Sequence, residues 1–501
     1  MSSSIRSDLP DIRQEITDSE DEDDFVRKFG DINVQYIKPS KDRFWFKRPQ
    51  ALNFFKDGVL FRTKEERKAA TTELFVDLLY VGIVANLAGE ASEEATGLAL
   101  LKYVLFFFPT FMVWQDVKDF TNYYYNEDLS QKVAVFWILS LLTLYINSHY
   151  ALLDSWSGAA LTIVPYMLCR LSLAVVLWIY SFYIPEHRVQ SRIYGCTLII
   201  TSCCWLAVIF VSVRVKIGLS FAFLFLEQLC FCICYHPWLK KQLKLTMSTA
   251  LNIEHEVERF STFVTIAIGE YLYKVVATHP LGVGFSGKFA RGIFLLADAY
   301  ILFWIYQYGS TCRKATHPLR NSGYTAITWI YAHIPLIAAL VLSADAGGEL
   351  CELDIIRIDE ETEEANLYGL TFYYTGGIAV SLICMFILGF VEKSRDPPDL
   401  FLMPKFFRIC LRVPIGIIIV MISFAKMNTT LLMGIVTMLL GILLIYESFF
   451  GTPQDCLTDR IKRARNQSTS TGTNEELINE NQVTLNDDSQ DSSNKNDFRL
   501  V

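Results

Sequence analysis

The sequence predicts an all-α, polytopic integral membrane protein with about twelve transmembrane helices. Two observations support this fold class. The 501-residue chain is 52% hydrophobic, with a mean hydropathy of +0.29. Its apolar residues fall in repeated runs near 20 residues, roughly the length that crosses a hydrocarbon core of about 30 Å as a helix. A soluble chain of this length usually divides into several domains, so a membrane bundle accounts better for the composition.

Twelve apolar runs can be placed along the chain. They cover residues 71–89, 99–115, 132–149, 158–182, 193–211, 217–236, 256–276, 289–308, 324–343, 369–391, 407–425 and 429–449. The gaps after the fifth and eleventh runs are only a few residues long, which predicts tight turns between antiparallel helices.

The chain divides into three parts. Residues 1–68 are an acidic tail and an interfacial segment, residues 69–450 are the transmembrane domain, and residues 451–501 are a polar tail. We expect residues 1–40 and the final tail to be disordered because they are polar and charged. Bases and aromatic side chains in residues 41–68 suit a membrane interface, and a plain linker is the alternative.

The distribution of Lys and Arg among the loops predicts the orientation of the helices. Alternate loops are rich in these bases, which places both termini in the cytoplasm. We expect the chain to lie in the plasma membrane or an endomembrane. Given the bounds of the apolar runs, Lys118 is expected in the loop after the second run and Cys351 in an external loop.

Two acids lie within the first apolar run. Glu73 and Asp77 are four residues apart, so both project from one face of a helix. A central Asp costs about 2.5–3.5 kcal/mol on membrane-insertion scales, so neither acid is expected to face lipid. One interpretation is that they pair with bases and hold helices together; the other is that they line a path or site inside the bundle.

Further ionisable residues fall inside later runs. They are Arg170, Glu227, Glu270, Asp298 and His333, with Glu258 at the inner end of the seventh run. Intramembrane acids outnumber the bases, which favours a proton relay or cation site. The alternatives are neutral acids that hydrogen-bond across helices, and a His333 that only packs. Arg170 is expected to pair with Asp77, or else to bind an anion, and Glu270 with Lys274, four residues later.

Several functional classes lack support in the sequence. No basic patch with interleaved aromatic residues indicates nucleic-acid binding. No hydrolase, zinc-protease or P-loop motif is present, so we expect neither an enzyme nor a bound cofactor or metal. The cysteines lie mostly within apolar runs, as small buried side chains do. The oligomeric state is left open.

Three segments together carry a resemblance to a known family. They are ELFVDLLYVGIVANL from Glu73, MVWQDVKDFTNYYYNEDLSQK, and HEVERFSTFVTIAIGEYL from His255. With YAHIPLIAALVL from Tyr331, they resemble the low temperature requirement A (LtrA) family across about residues 69–450. Val76 and Ser261 depart from the family pattern, where Phe and Gly are usual. The long polar tails resemble those of fungal or other eukaryotic members.

The resemblance implies a fold more than an activity. Glu73 and Glu258 each open a similar Glu-x-Phe helix, which favours two six-helix repeats in parallel orientation. We expect a proton- or cation-coupled transporter of small solutes, with ionisable residues meeting around one hydrated interior. A membrane enzyme, a lipid-handling protein and a cation channel are the alternatives.

Overall fold

The structure is a computed structural model that describes residues 34–37, 45–63, 67–124, 128–278, 284–309, 312, 315–353, 361–397 and 400–454. The disorder predicted for residues 1–33 and 455–501 lies outside the described residues. The sequence-based expectation for residues 34–37 is wrong, because they form a strand.

Twelve helices of the described chain are long and apolar enough to cross a membrane, which confirms the predicted fold class. We number these spans α1 to α12. They are α1 Thr71–Glu93, α2 Gly97–Tyr124, α3 Leu129–Leu152, α4 Trp156–Tyr183, α5 Arg188–Ile209, α6 Val213–Tyr235, α7 Ile253–Ala277, α8 Gly287–Tyr308, α9 Gly323–Glu352, α10 Asn366–Val391, α11 Lys405–Ala425 and α12 Thr429–Phe450. Two short helices, Pro237–Gln242 and Pro318–Asn321, precede α7 and α9.

Two helices extend well beyond the apolar runs that predict them. The run predicted for α2 ends at residue 115, but the helix continues to Tyr124 and buries Lys118. The run for α9 ends at residue 343, but the helix continues to Glu352 and buries Cys351. Placing Lys118 and Cys351 in loops was therefore wrong. In both helices the apolar run ends at charged residues that the bundle nevertheless encloses.

The described chain also contains a four-stranded sheet, with three strands before α1 and one between α6 and α7. Its strands are β1 Val34–Ile37, β2 Phe54–Lys56, β3 Val59–Thr63 and β4 Met247–Thr249, in the order β1-β3-β2-β4. Strands β2 and β3 form a hairpin whose turn has positive φ at both Asp57 and Gly58, as a type I′ turn requires. Because β2 pairs with β4, the segment before α1 is hydrogen-bonded to the connection between α6 and α7. Its strands β2 and β3 are therefore not part of a plain linker.

The long helix α9 lies at the centre of the bundle, where it packs against α1, α7, α8 and α10. The described residues of the main compact unit lie within 34–396 and 405–447. Those of a second unit lie within 397–404 and 448–454, where Gln454 N donates a hydrogen bond to Leu400 O at 2.9 Å. Two short antiparallel strands of the main unit, β5 Ala315–Thr316 and β6 Lys393–Ser394, also pair.

Candidate functional site

Glu73 begins a network of buried charges at the start of α1. Its carboxylate lies 3.0 Å from Arg67 Nη2 and 3.0 Å from His255 Nε2 on α7, and it accepts a 2.8 Å bond from Ala70 N. Asn122 Nδ2 lies 3.2 Å from His255 Nδ1, an arrangement in which the imidazole accepts at Nδ1 and donates to Glu73 from Nε2. Glu73 thus joins α1 to the beginning of α7.

Asp77 occupies the next turn of α1. Its Oδ1 accepts from Trp114 Nε1 at 2.7 Å and lies 2.8 Å from Arg259 Nη2. Asp77 Oδ2 and Arg259 Nε and Nη1 are buried without a hydrogen-bond partner. The prediction that both acids of α1 face other helices is confirmed, and the pairing interpretation describes their contacts.

Lys118 neutralises two acids deep between α2 and α7. Its ammonium contacts Glu256 and lies 2.9 Å from Asp119 Oδ1. It also lies 4.6 Å from the centre of the Phe260 ring, a cation–π contact. Asn122 Nδ2 reaches Glu256 Oε2 at 3.3 Å. Lys118 and Asp119 lie beyond the end of the second apolar run, and Glu256 is the first residue of the seventh.

A second part of the network lies between α2, α4 and α6. Arg170 pairs with Asp116, which also accepts a 2.7 Å bond from Tyr194 Oη. Glu227 lies 3.8 Å from Arg170 Nη2 and accepts a 2.5 Å bond from Tyr166 Oη. The expected pairing of Arg170 with Asp77 is wrong; its partner, Asp116, is the first residue of α2 after the predicted end of the run.

These contacts define what we call the charge network. It consists of Arg67, Glu73, Asp77, Asp116, Lys118, Asp119, Arg170, Glu227, His255, Glu256 and Arg259. Among these residues six carboxyl groups face four permanent bases and one histidine. Tyr80, on the same helix as Asp77, is buried, and its hydroxyl has no hydrogen-bond partner. The network keeps the excess of acids that the sequence predicts, but with different members.

A cavity of about 350 Å³, lined by both apolar and charged side chains, reaches the charge network from the end of the bundle where α1 begins. We call it the vestibule. It lies between α2, α6, α7 and α9, and Asp119 and Glu256 line it. Lys240 and Arg320 line its outer part. The acids that share Lys118 are therefore the members of the network that border this cavity.

Burial changes the proton affinity of the bases around the vestibule. Lys240, on the short helix before α7, donates to Thr249 O at 3.0 Å, and burial lowers its pKa to about 8. Burial and the charge of Arg62 lower the pKa of Arg320 to about 10. Both shifts have desolvation as their largest cause.

Aromatic side chains fill the space beyond the charges. Trp114 packs against Phe111 on its own helix and against Phe260 and Phe263 on α7, with ring centres 5.3, 5.3 and 4.5 Å away. Phe107 continues this layer along α2. We call this set the aromatic layer; it lies farther from the vestibule mouth than Asp119 and Glu256.

Other predicted site residues lie away from this network. Asp298 on α8 accepts hydrogen bonds from Tyr374 on α10 and, at 2.7 Å, from Thr437 on α12. Glu258 is half-buried and accepts a 3.1 Å bond from Ala69 N. The expectation that Asp298 shares a single hydrated interior with the other ionisable residues is therefore wrong. Its carboxylate is bound by the hydroxyl groups of Tyr374 and Thr437.

Lys274 and Glu270 differ from their predicted arrangement. Lys274 forms an ion pair with Asp345 on α9, a residue that the sequence assigns to the external loop. Glu270 is half-buried and lies within electrostatic range of both groups. The extra turns of α9 are what bring Asp345 to Lys274.

His333 borders a separate cavity. Its Nδ1 lies 2.8 Å from Trp329 O and its Nε2 lies 3.2 Å from Tyr306 Oη, so both ring nitrogens have partners. The cavity holds about 260 Å³, and Glu392 and Arg412 also line it. The cavity fits His333 as a site residue, and the two hydrogen bonds equally fit the alternative of a histidine that only packs.

The described residues hold no group of three or more His, Cys, Asp or Glu that could bind a metal ion. The fold and the charge network define a multi-pass membrane protein with a charged interior. The family model of the bacterial low temperature requirement A protein (LtrA) matches residues 68–446. The chain belongs to this family. No curated protein and no solved structure shows significant similarity to this chain.

Proposed function

We propose that this LtrA-family protein is a transporter that couples movement of a small solute to protons or another cation. The vestibule carries the proposal, because Asp119 and Glu256, which share one buried lysine, both line it. Buried ionisable groups inside a membrane bundle are costly and commonly mark ion pathways. In the proposed orientation both termini and the vestibule face the cytoplasm.

Lys118 supplies a means of coupling. A proton or cation that binds at Glu256 competes with the Lys118 ammonium for the same carboxylate. Occupancy of Glu256 would weaken the link between α2 and α7 that Lys118 makes. A change in that link is communicated to α1 through Asn122, which hydrogen-bonds Glu256 and lies 3.2 Å from Nδ1 of His255. The Nε2 of His255 in turn lies 3.0 Å from Glu73 on α1.

The aromatic layer favours a transporter over an open channel. Trp114 packs on Phe260 and Phe263 beyond the vestibule acids, and it also donates to Asp77. Such a layer separates the vestibule from the opposite end of α2 in this conformation. Alternating access would require the layer to rearrange while the vestibule closes.

Purified protein in proteoliposomes tests the proposal. A trapped pH-sensitive dye is monitored while a panel of small solutes is added outside. We expect saturable, solute-dependent proton movement that Glu256→Gln abolishes and that the exposed loop variant Asp154→Asn preserves. A non-saturating current would indicate a channel. Altered lipid composition without flux would indicate a membrane enzyme or lipid-handling protein, and either result would overturn the transporter.

A further inference from the structure

A second cleft opens sideways from the bundle, beside α3. It holds about 370 Å³ and lies between the first turns of α1 and α3 and the end of α2. Its lining changes with depth. At the end of the bundle it is polar, with Thr71, Thr72, Thr121 and Lys132; one or two turns deeper it is apolar, with Val135, Phe136 and Leu139. This order matches an amphipathic molecule lying parallel to α3.

The polar part of the cleft contains an uncommitted donor. Arg259 lines it and is fully buried, yet its Nε and Nη1 have no hydrogen-bond partner, while Nη2 binds Asp77. Glu73, the acid in the same cleft, is already bound by Arg67 and His255. The first N–H groups of α1 add a partial positive charge at Thr71 and Thr72. The site therefore suits an anionic group.

The apolar part is open to the surrounding membrane. Phe75 and Phe136, which both line the cleft, are 63% and 71% exposed although they lie in membrane spans. Only 28% of the most apolar window of α3 is buried inside the protein, against 50% for α1 and 56% for α2. The cleft and the exposed surface of α3 beside it leave room for a lipid chain.

We propose that this cleft is a binding site for an anionic phospholipid. The phosphate group lies near Lys132 and Arg259 at the start of α1, and one acyl chain follows α3 past Val135 to Leu139. The site is separate from the vestibule and does not depend on transport, since Asp119 and Glu256 are absent from its lining.

Native mass spectrometry of the full chain, with titrated lipids, tests this site. We expect phosphatidylserine to bind at least about tenfold more tightly than phosphatidylcholine, because the cleft offers two bases to the headgroup. Lys132→Glu reverses the exposed charge at the opening and should weaken phosphatidylserine binding by about tenfold. Val135→Trp fills the chain-binding part and should do the same while leaving both bases in place.

Lys241→Glu is the matched control, since Lys241 is an exposed base outside the cleft. It should bind phosphatidylserine as the unmodified chain does. Equal losses in the Lys132 and Lys241 variants would show unspecific attraction, and no loss in either cleft variant would remove the site. Competition by inorganic phosphate at the same concentration as the lipid would show a free-anion site and overturn the proposal.

Discussion

Asp77 on α1 and Arg259 on α7 form an ion pair of 2.8 Å in which neither side chain is more than 1% exposed. The pair joins the first helix of each predicted six-helix repeat; the repeat itself stays a prediction. Two charges so fully removed from water must compensate each other, because either one alone would carry a large desolvation cost. The contact therefore holds α1 against α7.

The first prediction concerns Asp77→Asn. The sequence alone leads us to expect loss of transport with normal folding, but the structure changes that expectation. Removing one member of a buried pair costs about 3–5 kcal/mol, so the variant should unfold at lower temperature in detergent. Asp77→Asn with Arg259→Gln should recover part of the loss. If Asp77→Asn keeps the stability of the unmodified chain, the pair does not hold α1 and α7 together.

A second ion pair separates stability from transport. Arg412 on α11 binds Glu447 on α12 through two bonds of 2.6 and 2.7 Å, away from the charge network. Arg412→Gln should lower the free energy of unfolding by about 3 kcal/mol. Solute uptake per folded molecule should stay unchanged. A specific loss of uptake at full stability would place the site at α11 and α12 instead.

The third prediction is a pH dependence set by His187. This residue lies between α4 and α5, is 1% exposed, and its Nε2 lies 3.2 Å from Asn53 O in the segment before β2. Burial lowers its pKa from 6.5 to about 4. The unfolded state therefore binds the proton first, so stability is constant above pH 6.5 and falls as the pH drops from 6.5 towards 4.

Between pH 6.5 and pH 4, this histidine alone lowers the free energy of unfolding by about 3 kcal/mol. His187→Gln keeps a donor for Asn53 and should remove that part of the acid sensitivity. Hydrogen exchange of β2 and β3, followed between pH 7 and pH 4, is the measurement. Identical acid profiles for the two chains would show that His187 does not anchor the N-terminal sheet.

A pair of glycines on α10 provides the fourth prediction. A Cβ at Gly369 would overlap the backbone carbonyl of Ala95, whereas a Cβ at Gly376 would meet nothing within 4 Å. Gly369→Ala should lower the melting temperature, because a backbone atom cannot move aside as a side chain can. Gly376→Ala should be neutral or slightly stabilising, since Ala favours helices by about 1 kcal/mol. Thermal unfolding of both variants compares them directly, and equal melting temperatures would contradict the close approach.

Most of the fold follows from hydrophobicity, because a membrane span needs a long apolar run. The errors occur where charged residues compensate one another inside the protein. Lys118 and Asp345 look like loop residues in isolation, yet each is buried against an opposite charge. The β2–β3 hairpin had a local signal, Asp57-Gly58 between apolar residues, which a search for membrane spans does not use.

The candidate site was predicted only in part. Glu73 and Asp77 were found because two acids four residues apart on an apolar helix cannot both face lipid. Asp119 and Glu256 were missed because they lie at the ends of α2 and α7, where acids are ordinary in a sequence. What distinguishes them is the shared contact with Lys118, which depends on how α2 packs against α7.

The most direct test of the transport proposal is the charge displaced by a rapid pH change, measured on a solid-supported membrane without added solute. Proton binding at Glu256 predicts a transient, saturable charge movement, which Glu256→Gln abolishes and Asp154→Asn preserves. Identical transients from the unmodified chain and Glu256→Gln would contradict the assignment of proton binding to the vestibule.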